Sequence, residues 1–283
     1  MSEFLSLLLL PPIFRGFIGM MISGICFPLC GVMVVRMKLI PLRYMLMHGV
    51  VLGGAIALGA KLPLIPVIIF VNIILILLMI LVSKNQSFGF SGGSAAIMVI
   101  SMALASIISH VKDIPSKDSL NILWGSPFAL SVADIIILCF VLCFLLLFVI
   151  FNFNNILALF YNREVAVSMG LKEGISYNAV IIFVSFVVAL GMKLLGAFLI
   201  DALLILPVLC SSSLLQCVKK GTGIKKLFVF SCITGFVFAS AGYLTAVVTD
   251  CPPSGVIALF SGVIFIITSI VNKIINRKKH KEI

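Results

Sequence analysis

The chain has 283 residues, of which 62% are hydrophobic and 10% charged, and a mean hydropathy of +1.32. So much apolar surface excludes a soluble globular domain, and its runs are too long and unbroken for the alternating strands of a membrane barrel. The formal charge of +11 sits in short flanks between apolar runs rather than in one basic domain, so no nucleic-acid partner is expected.

A helix needs about 20 mostly apolar residues to cross the hydrocarbon. Residues 4–14 contain Pro11 and Pro12 and fall short, so an interfacial helix is expected there, with no removable leader before it. Candidate spans follow at 16–35, 44–60, 62–83, 92–109, 129–151, 177–192, 194–216, 227–248 and 255–272. The second and sixth are short. The expectation is therefore an all-α, polytopic membrane bundle of eight or nine crossings, a single transmembrane domain over 1–283 with no soluble part and no clear internal repeat.

Lys and Arg set the orientation. If the last span ends in the cytoplasm, 15 of the 20 basic residues fall on that side, including Arg36, Lys38, Arg43, Lys219, Lys220 and the tail from Arg277. A multi-pass protein with a cytoplasmic C-terminus is the expected topology. The eight cysteines are scattered through apolar runs, which argues against a disulfide framework. Cys26/Cys30 and Cys139/Cys143 stand at i,i+4, where they either hold a soft metal or simply pack as small hydrophobes.

The inside stretch 152–176 interleaves Ile156, Leu159, Phe160, Val165 and Met169 with Asn, Arg and Glu, the pattern of short amphipathic helices broken at Gly170 and Gly174. Such a stretch either lies in the headgroups or docks a cytoplasmic partner.

Two ionisable residues stand inside apolar runs. His48 occurs in YMLMHGVVLGG, followed by Gly49, Gly53 and Gly54, which let helices approach closely. Imidazole is the commonest protein ligand for transition metals, and the plain alternative is a histidine bonded to a neighbouring carbonyl. Asp201 lies in LLGAFLIDALLILP, six residues before Pro207. A carboxylate in hydrocarbon costs about 2.5–3.5 kcal/mol on insertion scales, so it either lines a hydrated path or makes a structural hydrogen bond. Asp134, near a span's outer end, reads as an interface residue.

No Lys is followed by Ser or Thr, so the ending of a nucleotide-binding loop is missing, and no G-x-S-x-G or H-E-x-x-H occurs. The chain is not expected to be an enzyme or to bind a cofactor. If ATP drives it, another polypeptide hydrolyses it. An ion-gradient-driven secondary transporter and a non-transporting membrane scaffold are the rival readings.

Four blocks, in order, carry a family resemblance: GVMVVRMKLIPLRYMLMHGVVLGGAIAL (31–58), FYNREVAVSMGL (160–171), LLGAFLIDALLILPVLCSSSLL (194–215) and DCPPSGVIALFSG (250–262). Through them the chain resembles the membrane permeases of bacterial ABC importers for zinc, manganese and iron, over about residues 12–272. The resemblance implies an inner-membrane permease that takes a divalent metal, as substrate, from an extracytoplasmic binding protein. It also implies a second permease subunit, in a homodimer or heterodimer, and cytoplasmic ATPase subunits. On that resemblance His48 corresponds to a metal-path ligand, while Phe160, Glu164, Ala166 and Gly170 belong to the ATPase-coupling element. One departure is plain. The family commonly carries Asp four residues before the histidine, and here that position is Tyr44, a poorer ligand because a phenol keeps its proton near neutral pH. The missing carboxylate is expected either from a different permease subunit or from Asp201 at a successive point on the path.

Overall fold

Hydrocarbon offers backbone amides no partners but one another, so each long apolar run closes its hydrogen bonds internally as a helix. The computed structural model describes residues 9–83, 89–115, 117, 125–161, 167, 173–217 and 223–281. Among the described residues, nine helices are long and apolar enough to cross a membrane. They are α1 (Pro11–Arg36), α2 (Ile40–Ala60), α3 (Leu64–Ser83), α4 (Gly89–Val111), α5 (Val132–Phe151), α7 (Glu173–Leu195), α8 (Ala197–Cys217), α9 (Ile224–Thr249) and α10 (Pro253–Lys281). A short helix, α6 (Phe153–Tyr161), follows α5, and a 3₁₀ turn at Pro127–Ala129 precedes it.

Both spans that look short in the sequence are full ones. Helix α2 starts at Ile40, four residues before the apolar run suggests, because Pro41 sits in its first turn, where a missing N–H costs nothing. Arg43, which reads as a loop charge, is instead buried within that helix. Helix α7 takes in Lys193 and ends at Gly196, whose φ of +92° a side chain would resist. Pro11 and Pro12 open α1, so residues 11–14 of the expected interfacial helix belong to a spanning helix; residues 4–8 lie outside the described residues.

Asp134 has a structural role at the start of α5. Its Oδ2 accepts from Ser131 N at 2.9 Å and from Ser131 Oγ at 2.7 Å, while Asp134 N donates back to Ser131 Oγ at 3.2 Å. This is a reciprocal cap that satisfies donors a helix start would otherwise leave open.

The chain divides into two compact units. One comprises residues 1–32, 126–146 and 198–283, and so holds most of α1 and α5 together with α9, α10 and all but the first residue of α8. Its core is anchored by Tyr243, which is fully buried, donates to Ile13 O at 2.8 Å and has Phe17 and Phe128 at centroid distances of 6.1 and 5.5 Å. Helix α9 packs along α10. Tyr243→Phe keeps the ring and removes this bond. It is expected to lower stability by about 1 kcal/mol, read by denaturant titration in mixed micelles.

The other unit comprises residues 33–125 and 147–197. Here α2 packs on α3, α4 and α7, α3 also meets α4 and α7, and α6 lies against α7. Large apolar side chains left uncovered, among them Phe70 and Leu81 on α3, fit a lipid-facing surface.

Candidate functional site

Gly49 and Gly53 form a G-x-x-x-G pair on α2, and both face α3, Gly53 toward Ile68 and Gly49 toward Asn72 and Leu75. A Cβ on Gly53 would stand 2.7 Å from Ile68 Cα, and one on Gly49 would collide with the amide oxygen of Asn72. The two glycines thus let the backbones of α2 and α3 approach closely, as small residues do where no water drives helices together. That contact fixes the rotation of α2, and with it the direction of His48, the residue before Gly49.

His48 is half-buried. It lies about 12 Å along the axis from Ile40, at a rise of about 1.5 Å per residue, and so stands well inside the span. The early start of α2 places it deeper than the apolar run suggests. Helix α2 is continuous from Ile40 to Ala60, with Pro41 in its first turn. Beside His48, Tyr44, Met47 and Val51 are also incompletely buried, at helical spacing, whereas Met45, Leu46, Gly49 and Val50 are sealed. A half-open stripe therefore runs along an otherwise packed helix. Tyr44 is 43% exposed, and the guanidinium carbon of Arg43 lies 4.3 Å from its ring centroid. One turn before His48 there is therefore a phenol in a cation–π contact rather than a carboxylate.

Asn72 is the residue sequence reasoning missed. It is 1% exposed, its Nδ2 donates to Ile68 O at 3.0 Å, and its Oδ1 is buried with no hydrogen-bond partner among the described residues. A buried amide oxygen left unbonded costs about 1–3 kcal/mol, so its retention calls for an explanation. The signal was present: α3 is the most apolar of the candidate spans, with a hydropathy of 3.3, and Asn72 is the polar residue at its middle.

Asp201 lies in the second turn of α8, partly buried, with one carboxylate oxygen sealed from solvent. It belongs to the first unit and His48 to the second. Cys26 and Cys30 are buried in α1, whereas Cys139 and Cys143 are exposed on α5. Among the described residues, no group of three or more His, Cys, Asp or Glu side chains comes together as a metal cage. Of the expected coupling residues, Phe160 is partly buried on α6, where Ile156, Ala158 and Leu159 are sealed and Asn154 is exposed, an amphipathic pattern. Glu164, Ala166 and Gly170 lie outside the described residues.

Among the described residues, nine helices long and apolar enough to span, with few polar groups inside them, define a multi-pass integral membrane protein. The profile of the ABC 3 transport family matches residues 10–272, and the chain belongs to that family. It is 25% identical over 180 residues to the "High-affinity zinc uptake system membrane protein ZnuB" of Buchnera aphidicola subsp. Schizaphis graminum (strain Sg). That match covers 64% of this chain and 64% of the relative, somewhat less than two thirds of its length. Among solved structures, PsaBC from Streptococcus pneumoniae in complex with Fab superposes with a TM-score of 0.79 at 19% identity, covering 94% of each chain. At that identity the likeness speaks for the fold.

Proposed function

We propose that this chain is the membrane-spanning permease subunit of an ABC importer for a divalent transition metal, of the zinc, manganese and iron class. Membership of the ABC 3 transport family supports the transporter reading, and the zinc uptake system named for the curated relative supports the metal. ATP is hydrolysed by separate cytoplasmic subunits, an extracytoplasmic protein delivers the ion, and a second permease subunit, identical or not, completes the pore. Of the expected ATPase-coupling stretch, 152–176, the amphipathic α6 is the described part. The basic residues orient the chain in the inner membrane with its C-terminus in the cytoplasm.

The observation that carries the metal reading is His48: an imidazole well inside a span, on a half-open stripe, set in direction by a glycine pair. Neutral imidazole ligates zinc, manganese and iron, so His48 is the donor proposed on this unit. Asp201, in the other unit, offers the ion a carboxylate at another point of its route.

Asp201→Asn keeps the shape and removes the charge. In proteoliposomes holding the permease with its ATPase, it is expected to lower the rate of zinc or manganese uptake several-fold while the ATPase still co-purifies. Unchanged uptake removes Asp201 from the route.

A further inference from the structure

A proline inside a helix deprives the carbonyl four residues earlier of its amide donor and weakens the helix there. In the first unit this occurs twice, at Pro28 in α1 and at Pro207 in α8. Neighbouring residues of α9 attend to both. The carbonyl that Pro28 leaves open is that of Gly24, and it lies where a Cβ on Gly235 would collide with it. Reciprocally, a Cβ on Gly24 would stand 2.7 Å from Gly235 O. Two glycines thus bring the backbones of α1 and α9 together, with the Gly235 Cα facing the open carbonyl in the manner of a Cα–H···O contact.

At the other proline the carbonyl left open is that of Leu203, and Thr234 bonds instead to the carbonyl of Pro207 itself. The Thr234 hydroxyl donates toward Pro207 O at 3.1 Å and shares a hydrogen bond with Ser211 Oγ at 2.8 Å. Yet the same hydroxyl has Phe230 O at 2.9 Å and Ser231 O at 3.1 Å, on its own helix. It carries one proton. Turning that proton from Pro207 O to Phe230 O keeps the Thr234 hydroxyl bonded when α8 parts from α9, so release costs only the bonds to Pro207 O and Ser211 Oγ. One turn earlier, Ser231 is fully buried and its Oγ has no hydrogen-bond partner among the described residues. Packing at this crossing is therefore incompletely satisfied in the present arrangement.

We propose that residues 231–235 of α9 form a latch on two proline hinges. Gly235 holds α1 at its hinge as a fixed seam, whereas Thr234, with Ser211, holds α8 at Pro207 reversibly. When Thr234 lets go, α8 bends at Pro207 and turns Asp201, six residues before it. The consequence for ion movement rests on the role proposed for Asp201; the latch itself does not.

The test is hydrogen–deuterium exchange by mass spectrometry on the full-length permease in lipid nanodiscs, following the amides of residues 205–211 other than Pro207 and, as a control, those of α10. This readout needs neither metal nor ATPase, so failure of the importer reading leaves it intact and its own failure leaves that reading intact. Thr234→Val is expected to speed exchange at 205–211 about five-fold, the loss of one modest hydrogen bond, with α10 unchanged. Thr234→Ser, which keeps the hydroxyl, is expected to stay within about two-fold of the parent. Parental rates in Thr234→Val, equal acceleration in Thr234→Ser, or acceleration shared by α10 would each overturn the proposal.

Discussion

His48→Ala is expected to reduce zinc or manganese uptake by at least about tenfold in proteoliposomes containing the complete importer, since even outer-shell partners of a metal ligand are worth 10–100-fold. The argument is one of position. A dehydrated divalent ion well inside a span has no water to fall back on, and each lost ligand leaves charge uncompensated in a medium of low dielectric. Tyr44, one turn before His48, is held against Arg43 and offers no carboxylate to take over. The effect should fall on ion movement alone. His48 is not sealed in the core, so truncation opens no closed cavity, and assembly with the ATPase should persist. Initial rates of uptake, with ATPase retention on affinity beads, measure both. Parental uptake in a correctly assembled complex would remove His48 from the route.

How far the sequence was legible follows from what each residue does. Hydropathy alone marks the spans because hydrocarbon enforces both length and helicity. It misplaced the start of α2 because a buried arginine lowers local hydropathy just as a loop residue does, and Arg43 cannot be told apart until the fold surrounds it. His48 and Asp201 stand out as ionisable groups in apolar runs. Asn72 did not, because an uncharged amide barely dents a run as apolar as FVNIIL. Its meaning depends on facing Gly49 across a helix pair. Spacing within one helix can be read from the chain, whereas a contact between two helices depends on their rotation. The same limit hid the join of Thr234 and Gly235 to two prolines far away in sequence.

Gly235→Val should therefore be among the most damaging single substitutions in the first unit. The new side chain would meet the carbonyl of Gly24 and the Cγ of Pro28, a backbone atom and a fixed ring. Neither has a rotamer to give, so α1 and α9 must part along their seam, and overpacking of this kind costs about 1–3 kcal/mol, occasionally more. The proper control is the same change where nothing opposes it. On α10, a Cβ at Gly255 or at Gly262 meets no atom within 4 Å, so valine there alters helix propensity and little else. Thermal unfolding in detergent, followed by fluorescence-detected size exclusion, is expected to show Gly235→Val several degrees less stable or absent from the monodisperse peak. Gly255→Val and Gly262→Val should match the parent. Adding Pro28→Ala to Gly235→Val removes the ring from the collision and restores a hydrogen bond to Gly24 O, and part of the loss should return. Equal behaviour of the three valine variants would mean that the seam between α1 and α9 is looser than its backbone contacts require.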